Sequence, residues 1–196
     1  DSTVAYAWAY SQAAEAIAGS VPPPRAVWLR ALLLERERIA NHLGDLGYLG
    51  NDVAFSFGLA QFLRLREDWV RLNAALFGHR LLMDRIIPGG VAIDIDSAGA
   101  QAIIDQCQAV EREVHTLKNI YIEHAGLQDR FLSTGRVTPQ LAKQLGVIGL
   151  AGRASAQWWD LRCNHPNEPY DQLAPKICTE RNGDVAARAL VRLSEL

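Results

Sequence analysis

The sequence predicts a mainly α protein, a multi-helix bundle with little β structure. Apolar residues recur near the 3.6-residue helical period over several long stretches. Glycine and proline cluster between those stretches rather than inside them. IIPGGVAIDID, from Ile86, is the one piece that reads as extended chain around a turn.

Taken in order, residues 3–18 are Ala-rich with Tyr and Trp at helical spacing, and Gly19 is a stop signal. SVPPP follows as a rigid turn, because successive prolines lack N–H and fix φ. Arg25 to about Tyr48 reads as a long helix whose stripe is Trp28, Leu32, Ile39, Leu43 and Leu46. Gly44, Gly47 and Gly50 loosen its end, which suggests close backbone packing or a bend. A third helix covers Phe57 to Phe77 and stops at Gly78. The longest helix runs from Ser97 to His124, with Ile103, Val110, Val114 and Leu117 on one face. Thr138 and Pro139 supply an N-cap and first-turn start for a short helix ending at Gly146. Residues 160–181, with Pro166, Pro169 and Pro175, look irregular, and Asn182 or Asp184 opens a final helix. The reading is of a single portion, 1–196, without an internal repeat or linker.

Composition narrows the function classes. At 196 residues and 49% apolar the chain can build a core, and a net charge of −2 without a like-charge run points away from nucleic acid. Arg far outnumbers Lys, which favours bidentate pairs and interfaces. Cys107, Cys163 and Cys178 form no CxxC, so neither a disulfide framework nor a zinc site is expected, and a reducing compartment is. No stretch reaches the roughly 18 apolar residues of a membrane span. The chain begins at Asp1 without Met and stops at Leu196 inside a helical pattern, so it reads as an internal piece of something longer.

Three segments could carry chemistry. LLLERERIANHLGDLGYLGND places Arg38 and His42 at i and i+4, Glu37 one step off, and Asp45 and Asp52 further on. Carboxylate and imidazole can exchange protons near neutral pH, so this segment could hold a relay; an ordinary salt-bridged helix face has the same spacing. RLREDWVR gathers Arg64, Arg66, Glu67, Asp68 and Arg71, where structural ion pairs are expected. RASAQWWDLR offers Arg153, Asp160 and Arg162 beside two tryptophans, a candidate for partly buried pairing. No GxGxxG, Walker loop, HExxH or nucleophile elbow is present.

These segments, in this order, resemble the large-subunit family shared by nickel–iron hydrogenases of group 4 and the 49 kDa subunit of respiratory complex I. ERIANHL resembles the family's E-R-[IL]-x-x-H-[LI] helix, and VPPPRA its V-P-x-R-A turn. RLRED is similar to R-x-R-E, and GHR with IIPGGVAID to its G-x-R and I-x-G-G-V-x-x-D stretch. GRASAQWWDLR, PYD and GDVAARALVR resemble its later motifs, although Asn182-Gly183 separates Arg181 from Asp184 and Ala187 replaces an Asp.

The resemblance implies the hydrogenase large-subunit bundle and a place beside an iron–sulfur small subunit, with other hydrophilic and membrane subunits as partners. It implies a cytoplasmic complex, peripheral to the inner face of the cell membrane through those partners. In that family hydrogenases hold nickel and iron through two CxxC motifs, one on either side of this region, whereas complex I uses the same pocket for a quinone headgroup. A gap-free match places Ser2 where hydrogenases have the second Cys of the first motif and Tyr6 where they often have His. A hydroxyl poorly replaces a thiolate on nickel, so a nickel–iron centre is disfavoured. Asp52 aligns with a complex I Asp near the quinone, and His42 with a His of the polar network leading from it.

The expectation is therefore an NADH- or NADPH-linked, quinone-type oxidoreductase subunit with Asp52, His42 and Glu37 as catalytic candidates. The segment itself is expected to bind no cofactor and to be inactive alone; the quinone and a neighbouring iron–sulfur cluster belong to the full complex. The alternatives are a hydrogenase of formate hydrogenlyase type and a non-catalytic assembly scaffold.

Overall fold

The computed structural model describes residues 2–196. Ten helices and one two-stranded hairpin are found among them: α1 (Thr3–Ala18), α2 (Pro24–Asp52), α3 (Ser56–Phe77), β1 (Ile86–Ile87), β2 (Gly90–Val91), α4 (Ser97–Glu123), α5 (Ala125–Phe131), α6 (Pro139–Gln144), α7 (Gly149–Ala154), α8 (Leu161–Asn164), α9 (Tyr170–Leu173) and α10 (Val185–Glu195). The fold is mainly α. The chain divides into two compact units, one made of residues 1–44 and 62–110 and the other of 45–61 and 111–196.

In the first unit the core runs through Leu33, Leu43, Phe62, Leu65, Trp69, Val70 and Phe77, all nearly inaccessible. The stripe expected on α2 holds at Leu43 and Leu46, both fully buried, and is displaced by one position before them. Trp28 is half exposed, and the face that packs inward is Leu29, Leu33, Arg36, Ala40 and Leu43. The reason is that two arginines belong to the interior. Arg36 lies over the Trp69 ring, 4.1 Å from its centroid. Its Nε donates to Asn73 Oδ1, and its Nη2 donates to Trp69 O at 3.2 Å and Gln106 Oε1 at 2.9 Å.

Arg30, 1% exposed, is the second. Its Nη2 and Nη1 meet Glu15 Oε1 and Oε2 at 2.5 and 3.1 Å, and it also donates to the carbonyls of Ile87 and Gly90. Gly89 N–H closes the group on Glu15 Oε1 at 2.7 Å. One buried ion pair thus joins α1, α2 and the hairpin, where Ile86 pairs with Val91 and Ile87 with Gly90.

In the second unit Leu46, Val114, Leu117, Tyr121, Leu127, Phe131 and Val191 are buried. Helix α7 packs on α10 through Ala154, Ala187 and Val191, with Leu150 and Cys178 at the margin. Asp184 is the N-cap of α10, its Oδ1 accepting from Ala187 N at 2.8 Å and its Oδ2 from Ser133 N at 2.9 Å.

Two helix ends differ from expectation. Helix α2 continues through its glycines to Asp52, and a Cβ at Gly50 would stand 2.8 Å from the Tyr121 hydroxyl. That hydroxyl donates to Leu46 O at 2.8 Å, so the glycine makes room for a buried hydrogen bond. Helix α4 stops at Glu123, and His124 instead caps α5 by accepting Leu127 N–H on Nδ1 at 3.1 Å. The short helices α5 and α7 gave too few apolar repeats to be read from the sequence.

Candidate functional site

The residues singled out from sequence fall in both units. In the first, Glu37 projects from α2 to the start of α1. Its Oε2 accepts Val4 N–H at 2.7 Å and its Oε1 accepts Ala5 N–H at 3.1 Å. A carboxylate there satisfies two N–H groups that have no partner inside their own helix and opposes the positive end of its dipole. Ser2 is the N-cap residue, yet its side chain makes no capping bond. Glu37 from α2 does that work.

The same carboxylate lines a small cleft with Thr3, Asn41, Arg66 and Arg80. Arg66 Nε donates to Ala40 O at 3.2 Å. Arg38 pairs instead with Glu35 at 3.2 Å, and His42 is buried on α2. Arg64 meets Asp68 at 3.7 Å along α3.

Glu67 is held by both Arg71 at 2.7 Å and Arg80 at 2.6 Å. Those hydrogen bonds, Arg80 first, draw its carboxyl down to about 2 against a small opposing burial effect. The group is exposed, so the shift records local pairing rather than a large stability term.

In the second unit Asp52 ends α2 and is exposed. It lines an open cleft of about 260 Å³ with Asp45, Tyr48, Leu49, Leu150, Arg188 and Arg192. Asp45 Oδ2 accepts from Arg192 Nη1 at 2.6 Å. Arg188 spends its guanidinium on the carbonyls of Gly135 and Gly183. The cleft thus brings two carboxylates, a phenol and two guanidinium groups together over a small apolar floor. Such a set can hold a proton and stabilise the anion left behind. Arg188 and Arg192 are the parts of this arrangement that sequence reading passed over, while Asp45 was named in the same segment as Asp52. Arg188 and Arg192 stand at i and i+4 on α10, and that spacing was the available signal.

Arg153, Asp160 and Arg162 form a third cluster in the second unit, with Arg153 and Asp160 buried and Arg162 partly so. Asp160 Oδ1 accepts from Arg162 N and Nε at 3.0 Å each, and its Oδ2 from Arg162 Nη2 at 2.8 Å. Arg153 reaches Asp160 at 3.9 Å and Glu195 at 2.7 Å. Glu195 was not foreseen; it arrives from the far end of α10. Cys163 Sγ and Cys178 Sγ donate to Pro175 O at 3.1 Å and Ser194 O at 3.5 Å, and burial pushes both thiols up.

Comparison with known proteins places these groups in a family. Residues 52–196 match the family described as the respiratory-chain NADH dehydrogenase 49 Kd subunit. The chain is 31% identical to formate hydrogenlyase subunit 5 of Escherichia coli K12, covering 98% of this chain and 34% of that protein. It is 31% identical to the NADH-ubiquinone oxidoreductase 49 kDa subunit of Cafeteria roenbergensis, covering 96% of this chain and 47% of the relative. Among solved structures, the membrane-bound sulfane sulfur reductase, an archaeal respiratory membrane complex, contains a chain that superposes with a TM-score of 0.86 at 28% identity. That match covers 92% of this chain and 49% of the other. The chain therefore spans a third to a half of the length of these relatives. No described helix is long and apolar enough to cross a membrane. The chain belongs to the family of the respiratory-chain NADH dehydrogenase 49 Kd subunit.

Proposed function

We propose that this chain is part of the large subunit of a multisubunit, membrane-associated oxidoreductase of the NADH:quinone type, and that Asp52 supplies protons at a quinone-type pocket. The observation that carries the reading is the cleft around Asp52 in a chain of this family. A quinone, when bound, takes up two electrons and two protons. The fit of the residues is good for a ring-sized group: Leu49 and Leu150 offer apolar walls, and Tyr48 and Asp52 offer a hydroxyl and a carboxyl.

Asp52 holds the proton on a carboxyl oxygen and releases it to an acceptor oxygen that gains electron density. Arg188, bonded to the carbonyls of Gly135 and Gly183, and Arg192, paired with Asp45, lie in the same wall, and their positive charge favours the carboxylate that results. Glu37 anchors the first turn of α1 and so fixes the chain around Thr3. His42 serves the supply of protons within the first unit. The electron donor to the pocket is an iron–sulfur cluster of a neighbouring small subunit, and further hydrophilic and membrane subunits hold the assembly at the inner face of the cell membrane.

The test is Asp52→Asn in the intact complex. Turnover should drop by about a hundredfold, the usual scale of general-acid catalysis, with the complex still assembled. Unchanged turnover in the assembled variant overturns the role.

The match to formate hydrogenlyase over nearly the whole chain favours a second reading, a hydrogenase large subunit. Its nickel would need thiolates from outside this segment, since the cysteines here are Cys107, Cys163 and Cys178 and Ser2 carries a hydroxyl. Elemental analysis of the purified complex separates the two: stoichiometric nickel selects the hydrogenase.

A further inference from the structure

Asp52 is the last residue of α2, and the turn behind it closes in an uncommon way. Phe55 N–H donates to Gly50 O at 2.8 Å and Ala54 N–H to Asn51 O at 3.0 Å, the paired bonds of a Schellman motif. Such a motif puts its next-to-last residue in the left-handed region, where glycine is favoured. Here that residue is Ala54, with φ 61°. An alanine does not hold this conformation by preference, so the turn relies on what packs behind it.

What packs there is the ring of Phe55. Its centroid lies 4.6 Å from that of His124 and 5.8 Å from that of Tyr121, edge to face with the latter. Both of those rings are fixed in turn. His124 Nδ1 accepts Leu127 N–H at 3.1 Å as the cap of α5, and the Tyr121 hydroxyl donates to Leu46 O at 2.8 Å. A Cβ at Gly58 would stand 2.8 Å from Phe55 Cδ1, and one at Gly50 2.8 Å from the Tyr121 hydroxyl. Neither glycine has room for a methyl group as the rings stand. All of these residues belong to the second unit.

We propose that Phe55 is a positioning residue for Asp52: wedged against the end of α4, it holds closed the left-handed cap that sets the Asp52 carboxyl in its cleft. This role rests on Asp52 being the proton donor of that cleft. Removing the ring lets Ala54 return to a right-handed or extended conformation, which opens the Phe55–Gly50 bond and loosens the last turn of α2. Asp52, at the end of that turn, then leaves the wall it shares with Tyr48 and Arg192. Phe55 does not itself line the cleft, so its loss moves the proton donor without removing a contact to the ligand.

The test is a double-mutant cycle on the intact complex, with its native electron donor and a short-chain benzoquinone as acceptor. Phe55→Ala should lower kcat about tenfold, a fraction of the roughly hundredfold that a misplacement of about 1 Å can cost, and leave KM within about twofold. In the Asp52→Asn background the same substitution should change kcat by less than about twofold, because its effect passes through the carboxyl. An undiminished loss in that background marks a general packing role and overturns the positioning role. Parent-like turnover in Phe55→Ala, where Asp52→Asn is slow, overturns it too. Parent-like turnover in Asp52→Asn, or a parent complex that does not reduce the benzoquinone, overturns the proton-donor reading itself and the positioning role with it. Should Phe55→Ala not assemble, Phe55→Leu takes its place in the cycle, since it keeps apolar volume but not the flat ring beside His124.

Discussion

Replacing Glu15 by Gln removes one charge from the pair that ties α1 and α2 to the hairpin. The carboxylate accepts two bonds from Arg30 and one from Gly89, and both partners of the pair are almost wholly buried. An amide in its place turns one acceptor into a donor facing the guanidinium. Arg30 then keeps the carbonyls of Ile87 and Gly90 and at most one neutral amide oxygen, and faces no carboxylate. Breaking one side of a buried pair costs about 3–5 kcal/mol, because the surviving charge stays out of water. The lower figure corresponds to more than a hundredfold in an opening equilibrium.

Amide hydrogen exchange reads that directly, so the amides of α1 and of β1–β2 should lose at least about a hundredfold of protection. The pH dependence has a definite sign. Glu15 is held below its ordinary value of 4.5, chiefly by the Arg30 hydrogen bond and against desolvation. Its contribution is therefore full above that value and fades as pH falls through the lower, folded one. Protection of α1 in the parent should fall in acid, and in Glu15→Gln it should not follow that decline. Pairing Glu15→Met with Arg30→Met should restore most of the loss, since an apolar pair carries no stranded charge. Protection in the single variant within about 1 kcal/mol of the parent would refute the reasoning.

Two further outcomes follow from the second unit. Tyr121→Phe deletes the hydroxyl bonded to Leu46 O, and should cost about 1 kcal/mol, or more if the carbonyl is left dry, seen as faster exchange in α4. Asp184→Ala removes the cap of α10 and the acceptor for Ser133 N–H together, and should lower the stability of α10 by about 2 kcal/mol in the same measurement.

The long helices were legible because their apolar period survives along most of their length. Ile103, Val110, Val114 and Leu117 are all buried, as their spacing on α4 implies. The buried face of helix α2 before Leu43 was misread because an interior can be built on charge. Arg30 interrupts AVWLRALLL as a polar break, yet it sits in the core because Glu15, fifteen residues earlier, meets it there. No local pattern connects the two. The end of α2 was hidden for the opposite reason, since Gly50 looks like a break until the hydroxyl of Tyr121 is seen to need its space. Asp52 and His42 were named through resemblance and Glu37 through its place in the same motif. The backbone amides that Glu37 holds, and the arginines across from Asp52, lie far off in sequence and required the fold.

The ion pair between Arg153 and Glu195 spans 42 residues of chain. A ribosome adding about 5–20 residues per second needs about 2–8 s to deliver the second partner after the first. Throughout that interval Arg153 has Asp160 but not its closer carboxylate, and α7 has no α10 to lie against. This corner of the nascent chain stays open until α10 emerges.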